Sequence, residues 1–175
     1  MALKEILTEP NKILREKSLK VEQVDKDLQT LMDDMLETMY AAPGIGLAAI
    51  QVGVPKRVIV MDLEYKKNGP KNPMYFVNPE IIEKSKKNST YEEGCLSVPG
   101  QFAEIARPDM CFVKFLDYNG QPKEIKAEGM LATCIQHEMD HLEGILFIDY
   151  LSKLKKTMII KKLSKQQKAI ERIVV

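Results

Sequence analysis

The sequence predicts an α+β fold in which mainly antiparallel strands lie between an early helix and a C-terminal helix. Helical periodicity near both ends of the chain indicates the helices, and short apolar runs with one strong hairpin signal indicate the strands. The 175 residues suit one domain, with residues 1–150 as its body and residues 151–175 as a basic helical extension.

The first half of the chain contains one predicted helix and two predicted strands. Apolar residues recur at helical spacing over residues 27–41, and Pro43 ends that pattern. The β-branched apolar run at residues 57–63 is typical of a buried strand. Residues 75–82 form a similar run, but it contains Pro79, which predicts a broken strand or an edge strand.

The second half predicts a hairpin followed by two helices. The pair Asn119-Gly120, a strong short hairpin signal, separates the predicted strands at residues 110–118 and 121–127. Helical spacing returns over residues 128–143 and again over residues 150–173. The apolar side of the last helix is expected to consist of four residues, namely Leu151, Leu154, Met158 and Leu163.

Charge is distributed unevenly along a chain whose net charge is only +1. Residues 151–175 carry eight Lys or Arg and one acidic residue, whereas residues 1–150 carry 18 basic and 24 acidic residues. The small total argues against a nucleic-acid surface over the whole chain. The basic tail predicts either a polyanionic partner or, as charge alone favours, a solvated helix face.

Cysteine usage and hydropathy predict a cytoplasmic protein. The three cysteines are scattered and odd in number, which is unlike a disulfide framework and fits a reducing compartment. The sequence has no apolar run with the length of a signal-peptide core or a membrane span.

Both histidines of the chain lie on the helix predicted over residues 128–143, four residues apart. His137 and His141 therefore share one face, where two imidazoles can bind one metal ion. Glu138 lies beside that face and can take a proton from a metal-bound water. The alternative is a solvated helix with two chance histidines. The concentration of both histidines in one turn instead favours a metal site. The fold is therefore expected to pack its strands around a central metal-binding helix.

A site with two histidines needs at least one more protein ligand, which here must be a cysteine or a carboxylate. Cys134 lies close to His137 in sequence, but about 10 Å of helix rise separates it from His141, which is too far for one shared ion. Cys111 lies in an apolar run and is typical of a small buried side chain. Cys95, flanked by glycine, serine and carboxylates, is the best candidate. A Cys–His nucleophile pair is the rival interpretation.

The segment Gly44–Gln51 is the third unusual stretch. Its two glycines, Gly44 and Gly46, let the backbone approach another group closely. The amide of Gln51 can donate a hydrogen bond to an oxyanion. Taken alone, the segment is more typical of a tight turn into a buried strand.

Three motifs, in the same order along the chain, resemble those of the peptide deformylase family. They are Gly44–Gln51, Glu93–Ser97 and Gln136–His141, and the resemblance covers about residues 3–150. It implies a metal-dependent hydrolase that removes the formyl group from the N-terminal formylmethionine of newly synthesised proteins and releases formate. On this basis residues 1–150 would form the catalytic domain.

The resemblance also implies roles for individual residues. Cys95, His137 and His141 would hold one Fe2+, which Zn2+ or Ni2+ can replace. Three residues would act in catalysis, namely Glu138 as proton carrier and Gln51 and Leu96 as hydrogen-bond donors to the oxyanion. The residues expected to bind substrate are Gly44, Ile45, Gly46, Glu93, Gly94, Met130, Thr133 and Cys134.

The partners implied by the resemblance are N-formylmethionyl nascent peptides and, through the basic C-terminal helix, the ribosome. No membrane association is expected. One departure concerns an arginine that many family members place shortly after the cysteine motif. This chain has Gln101-Phe102 there, so the role of that arginine is not carried over.

Two other functions stay open from sequence alone. A zinc peptidase of the His-Glu-x-x-His type would need a downstream third ligand, for which the acidic residues are Glu143, Asp149 and Glu171. A non-catalytic, translation-associated binding protein would instead keep a closed structural metal site. Neither alternative explains why Gln51 and Glu93–Ser97 accompany the helix motif.

Overall fold

The computed structural model describes residues 2–174, and within that range it contains three α-helices and seven strands. The helices are α1 (Lys26–Ala41), α2 (Gly129–Leu142) and α3 (Lys153–Val174). The strands are β1 (Gly46–Ala48), β2 (Val58–Met61), β3 (Met74–Lys84), β4 (Asn88–Cys95), β5 (Val98–Pro108), β6 (Met110–Leu116) and β7 (Pro122–Glu128). The predicted α+β class, with an early, a central and a late helix, is confirmed.

Helix α1 forms where its apolar periodicity predicts it. Asp25 caps its start, because its side chain accepts a hydrogen bond from the backbone N–H of Leu28. Met32, Met35 and Met39 are completely buried against the inner side chains of β1 and β2. These methionines are therefore core residues, and they support the strand that follows Gly44.

The larger sheet is fully antiparallel and has the order β1-β2-β3-β6-β7. Strand β3 lies in its middle, so the edge-strand alternative for this run is wrong, whereas its interruption at Pro79 is observed. Beyond Val77 the strand pairs only with β6, and its register shifts between Val77 and Glu80. Proline, which lacks an N–H, is tolerated there because the ladder is already broken.

Strands β4 and β5 form a separate two-stranded sheet that the sequence had not indicated. Their register runs from Asn88↔Pro108 to Gly94↔Phe102 and then shifts at Cys95↔Val98, so Leu96 and Ser97 form the tight connection. The predicted β6–β7 hairpin is confirmed, with Gly120 at φ 78° in its turn. Cys95 therefore lies at the end of a strand and not in an irregular loop.

Helix α2 packs against strands of both sheets, whereas α3 lies on the outside and contacts β5. The predicted apolar side of α3 is partly wrong, because Leu154 is 71% and Met158 is 61% exposed. The helix is instead anchored through Leu163, Ile159 and Ile160, which pack in the cluster that contains Phe147. None of the helices described is long and apolar enough to cross a membrane.

Candidate metal centre

Three potential metal ligands meet where the end of β4 approaches the middle of α2. Cys95 Sγ lies 3.3 Å from His141 Nε2. The ligand atoms of Cys95, His137 and His141 all lie within 4.8 Å of one another. Donors bound to one ion at about 2.0–2.3 Å can be no more than about 4.5 Å apart, so a small inward movement completes the site. A thiolate with two imidazoles suits Zn2+ or Fe2+ and is a poor match for Mg2+ or Ca2+.

The two histidines owe their arrangement to the helix itself. At a spacing of four residues their ring centroids are 5.1 Å apart, and His141 is completely buried. Burial and the positive charge of His137 hold the pKa of His141 well below its usual value. The His141 imidazole is therefore neutral, which is the state that binds a metal.

A buried ionic network orients His137. Its Nδ1 lies 2.8 Å from Glu93 Oε1, and Arg107 donates from Nε and Nη2 to the same carboxylate at 2.6 and 2.9 Å. Burial alone would raise the pKa of Glu93, but the hydrogen bonds from His137 and Arg107 lower it. An ionised Glu93 accepts a hydrogen bond from the Nδ1–H of His137, so Nε2 is the ring nitrogen available to a metal once it has lost its proton.

The network continues to the surface through residues that the sequence did not indicate. Arg107, only 4% exposed, also donates from Nη1 to Asp140 at 2.8 Å. The hydroxyl of Tyr150 donates to the same Asp140 carboxylate at 2.7 Å. Arg107 lies 14 positions from Glu93 in the chain, and the strand pairing places it opposite Ser89, so its long side chain reaches Glu93 along the hairpin. No local spacing signal could have found it.

Glu138 lies next to the ligands, with an environment suited to proton transfer. Burial raises its pKa to about 7, although the charge of His137 acts in the opposite direction. Its Oε2 has no hydrogen-bond partner among the described residues. A Cβ at Gly46 would come 2.5 Å from Glu138 Oε1, so the glycine leaves room for the carboxylate. A group with a pKa near neutrality can both accept and return a proton.

Gln51 is held rigidly beside Cys95. Its Oε1 accepts a hydrogen bond from the Ala48 backbone N–H at 2.9 Å, which fixes the orientation of the amide. Its Nε2 donates to Ser97 Oγ at 3.0 Å and lies 3.5 Å from Cys95 Sγ. One N–H of this amide is therefore aimed at the metal ligands from a side chain that is 1% exposed.

A cavity of about 540 Å³ opens onto these groups. It is lined by all of the expected site residues except His141, which is completely buried. The expected residues on the cavity wall are Gly44, Ile45, Gly46, Gln51, Glu93, Gly94, Cys95, Leu96, Met130, Thr133, Cys134, His137 and Glu138. The wall also includes Lys66 and Phe102, which sequence reasoning did not assign to the site.

The geometry gives no support to the rival ligand sets. Burial raises the pKa of Cys134 to about 12, so it stays a neutral thiol. Glu143 and Asp149, the downstream candidates of the peptidase alternative, are paired with Arg57 at 2.8 Å and with Arg15 at 2.7 Å. The third candidate, Glu171, has a side chain outside the described part of the structure.

Three potential ligands, of which Cys95 and His137 line a cavity, lie beside a buried carboxylate, an arrangement typical of a mononuclear metallohydrolase and not of a closed structural site. The chain belongs to the polypeptide deformylase family, whose sequence profile matches residues 3–157. It is accordingly a metal-dependent hydrolase that removes the formyl group from N-terminal formylmethionine, and its substrates are formylated nascent peptides.

Known proteins resemble the chain over nearly its whole length. It is 68% identical to the peptide deformylase of Pelagibacter ubique, with 94% of this chain and 95% of the relative aligned. It is 60% identical to that of Maricaulis maris, with 98% of each chain aligned. The crystal structure of the Ehrlichia chaffeensis peptide deformylase in complex with actinonin superposes with a TM-score of 0.90 at 47% identity, covering 95% of this chain and 98% of that one.

Proposed function

We propose that Cys95, His137 and His141 hold one Fe2+ and that Glu138, Gln51 and Leu96 carry out deformylation around it. The observation that carries the proposal is the convergence of Sγ and two imidazoles beside a buried carboxyl with a pKa of about 7. When bound, the ion would supply the Lewis acidity that polarises the formyl carbonyl and makes a water molecule acidic. The donor set also accommodates Zn2+ or Ni2+.

Glu138 is the proton carrier in this scheme. Its unpartnered Oε2 accepts a proton from the attacking water, and the low polarity of the site disfavours a permanent charge there. The carboxyl then gives that proton to the departing amine nitrogen. A pKa near 7 suits both steps, because neither protonation state is strongly preferred at neutral pH.

Gln51 and Leu96 stabilise the charge that develops on the formyl oxygen. The Gln51 amide is fixed by Ala48 and Ser97, so it is oriented before substrate binds. The backbone N–H of Leu96, the residue after Cys95, provides the second donor. Oriented donors of this kind stabilise a transition state without reorganisation during the reaction.

The peptide is expected to bind as an added strand between the two sheets. Strand β1 ends the larger sheet and β4 belongs to the smaller one, and Gly44–Gly46 and Gly94 face the cavity between them. An extended peptide there can pair with both backbones. Its methionine side chain would pack against the part of the cavity wall formed by Ile45, Met130, Thr133 and Cys134. Crowding around the glycines favours a formyl group over an acetyl group.

The lysine-rich helix α3 is proposed to dock on the ribosome, in the cytoplasm where formylated chains emerge. Most of its lysines are exposed, and ribosomal RNA is a polyanion. Residues 151–175 would then be an extension of the catalytic domain 1–150. A low-salt pelleting assay tests this, because deletion of residues 152–175 should abolish co-sedimentation. Unchanged co-sedimentation would contradict the docking role.

The catalytic assignment is tested by formate release from formyl-Met-Ala-Ser with protein purified anaerobically. Glu138→Gln should keep one metal ion per chain and lose at least about 100-fold in kcat. Glu128→Gln, the same substitution at an exposed position just before α2, is the matched control and should behave as wild type. Normal turnover by Glu138→Gln would contradict the proton-carrier role, and iron analysis of the same samples tests the assigned ion.

A further inference from the structure

A second groove of about 650 Å³ adjoins the catalytic cavity, between β5 and α3. Gln101 and Phe102 line both the cavity and the groove. The helix side of the groove contains Met158 and Ile159. Met158 is 61% exposed, so this groove presents a large apolar side chain to solvent.

Phe102 connects the groove to the proposed path of the substrate. Gly94 and Phe102 are paired residues of β4 and β5, so the Phe102 ring lies on the face where a side chain at position 94 would project. A Cβ at Gly94 would come 2.5 Å from the Phe102 ring, which shows that the ring covers the glycine. Phe102 is nevertheless 65% exposed. A peptide that pairs with Gly94 must therefore contact this ring as it leaves the cavity.

We propose that the groove binds the part of the formylated nascent peptide that follows the residues enclosed in the cavity, and that it prefers an apolar side chain there. The proposal rests on the strand-like binding of the peptide at Gly94. A cavity of 540 Å³ is of drug-ligand size and encloses roughly a di- or tripeptide, so a longer chain must continue outside it. The groove shares Gln101 and Phe102 with the cavity, so a chain that leaves past Phe102 reaches the groove that Met158 also lines.

The charges at the groove add a second preference. Lys155 and Lys162 border it on the helix side, whereas Glu104 alone borders it on the strand side. Basic residues in this part of the peptide are therefore disfavoured relative to neutral or acidic ones. The preference should weaken as salt is raised, because these groups are exposed.

The test compares kcat/KM for three substrates. They are formyl-Met-Ala-Ser, formyl-Met-Ala-Ser-Gly-Ser-Gly-Ser and formyl-Met-Ala-Ser-Leu-Ser-Leu-Ser. The leucine heptapeptide should exceed the glycine heptapeptide by about five- to tenfold in the metal-loaded enzyme, since burial of leucine is partly offset by ordering of the peptide. Met158→Glu should abolish this difference and leave the tripeptide unchanged. Deformylation of the tripeptide thus measures the activity of the catalytic site without a contribution from the groove.

Leu154→Ser is the matched control, because Leu154 is 71% exposed on the same helix and does not line the groove. This variant should keep the leucine preference. Equal values for the two heptapeptides with wild-type enzyme would overturn the proposal, as would a preference that survives Met158→Glu. A dimer that Met158→Glu dissociates at assay concentration would also overturn it, because a second copy would then occupy the groove.

Discussion

Replacement of Arg107 by methionine should both destabilise the protein and lower its affinity for the metal. The substitution leaves Glu93 and Asp140 without three hydrogen bonds of 2.6 to 2.9 Å from a side chain that is 4% exposed. Loss of one partner from a buried ion pair costs about 3–5 kcal/mol. We expect the lower end, about 3 kcal/mol, because Glu93 keeps its contact with His137 and Asp140 keeps that with Tyr150.

The effect on the metal follows from the loss of orientation of His137. Loss of a group that helps to orient a metal ligand typically lowers the metal affinity about 10- to 100-fold. Urea denaturation of the metal-loaded protein measures the free energy of unfolding, and competition with a chelator measures the affinity. Lys126→Met is the control, since both side chains of its pair with Glu128 are more than half exposed and the pair should contribute less than about 1 kcal/mol. If Arg107→Met matched this control in both assays, the network would have no supporting role.

Three further predictions concern the reaction and its scaffold. Gln51→Ala should lower kcat about 100- to 1,000-fold with little change in KM, because the Gln51 amide stabilises the oxyanion that develops in the transition state. Formate release measures both constants, and an unchanged kcat would exclude that role. Gly46→Ala should impair turnover while preserving the fold seen by circular dichroism, because its methyl group would displace Glu138, and full activity would refute the crowding argument. Burial alone would raise the pKa of Asp62, but hydrogen bonds from Tyr40 and three backbone amides lower it. The ionised carboxylate therefore stabilises the folded protein at pH values above the unfolded-state pKa of Asp62. This stabilisation is lost as the pH falls through the lower pKa of the folded state. The stability gap between wild type and Asp62→Asn in urea titrations should therefore shrink below about pH 4, and a gap independent of pH would contradict this.

The parts of the site that the sequence predicted are those set by local geometry. His137 and His141 meet because any helix brings residues four apart onto one face. Cys95 was the best candidate among the cysteines, partly because helix rise separates Cys134 from His141. Helix α1 was predicted in the same way, because its apolar residues follow one helical period, and the structure adds Asp25 as its cap.

The parts that were missed depend on long-range pairing. The β4–β5 hairpin is exposed over much of both strands and turns within two residues, so glycines and a proline around Cys95 resembled an irregular segment. Without that pairing, nothing in the sequence brings Arg107 to Glu93 or Phe102 to Gly94. The stripe on α3 was misassigned because periodicity alone does not show which apolar face meets the core. Ile159 and Ile160 do so, and Met158 does not.

X-ray absorption of the iron-loaded protein under anaerobic conditions tests the central assignment most directly. One sulfur at about 2.3 Å and two nitrogens at about 2.1 Å are expected, with the sulfur signal absent from Cys95→Ser. A wild-type spectrum without sulfur, or a sulfur signal that persists in Cys95→Ser, would contradict the convergence of Cys95, His137 and His141 on one ion.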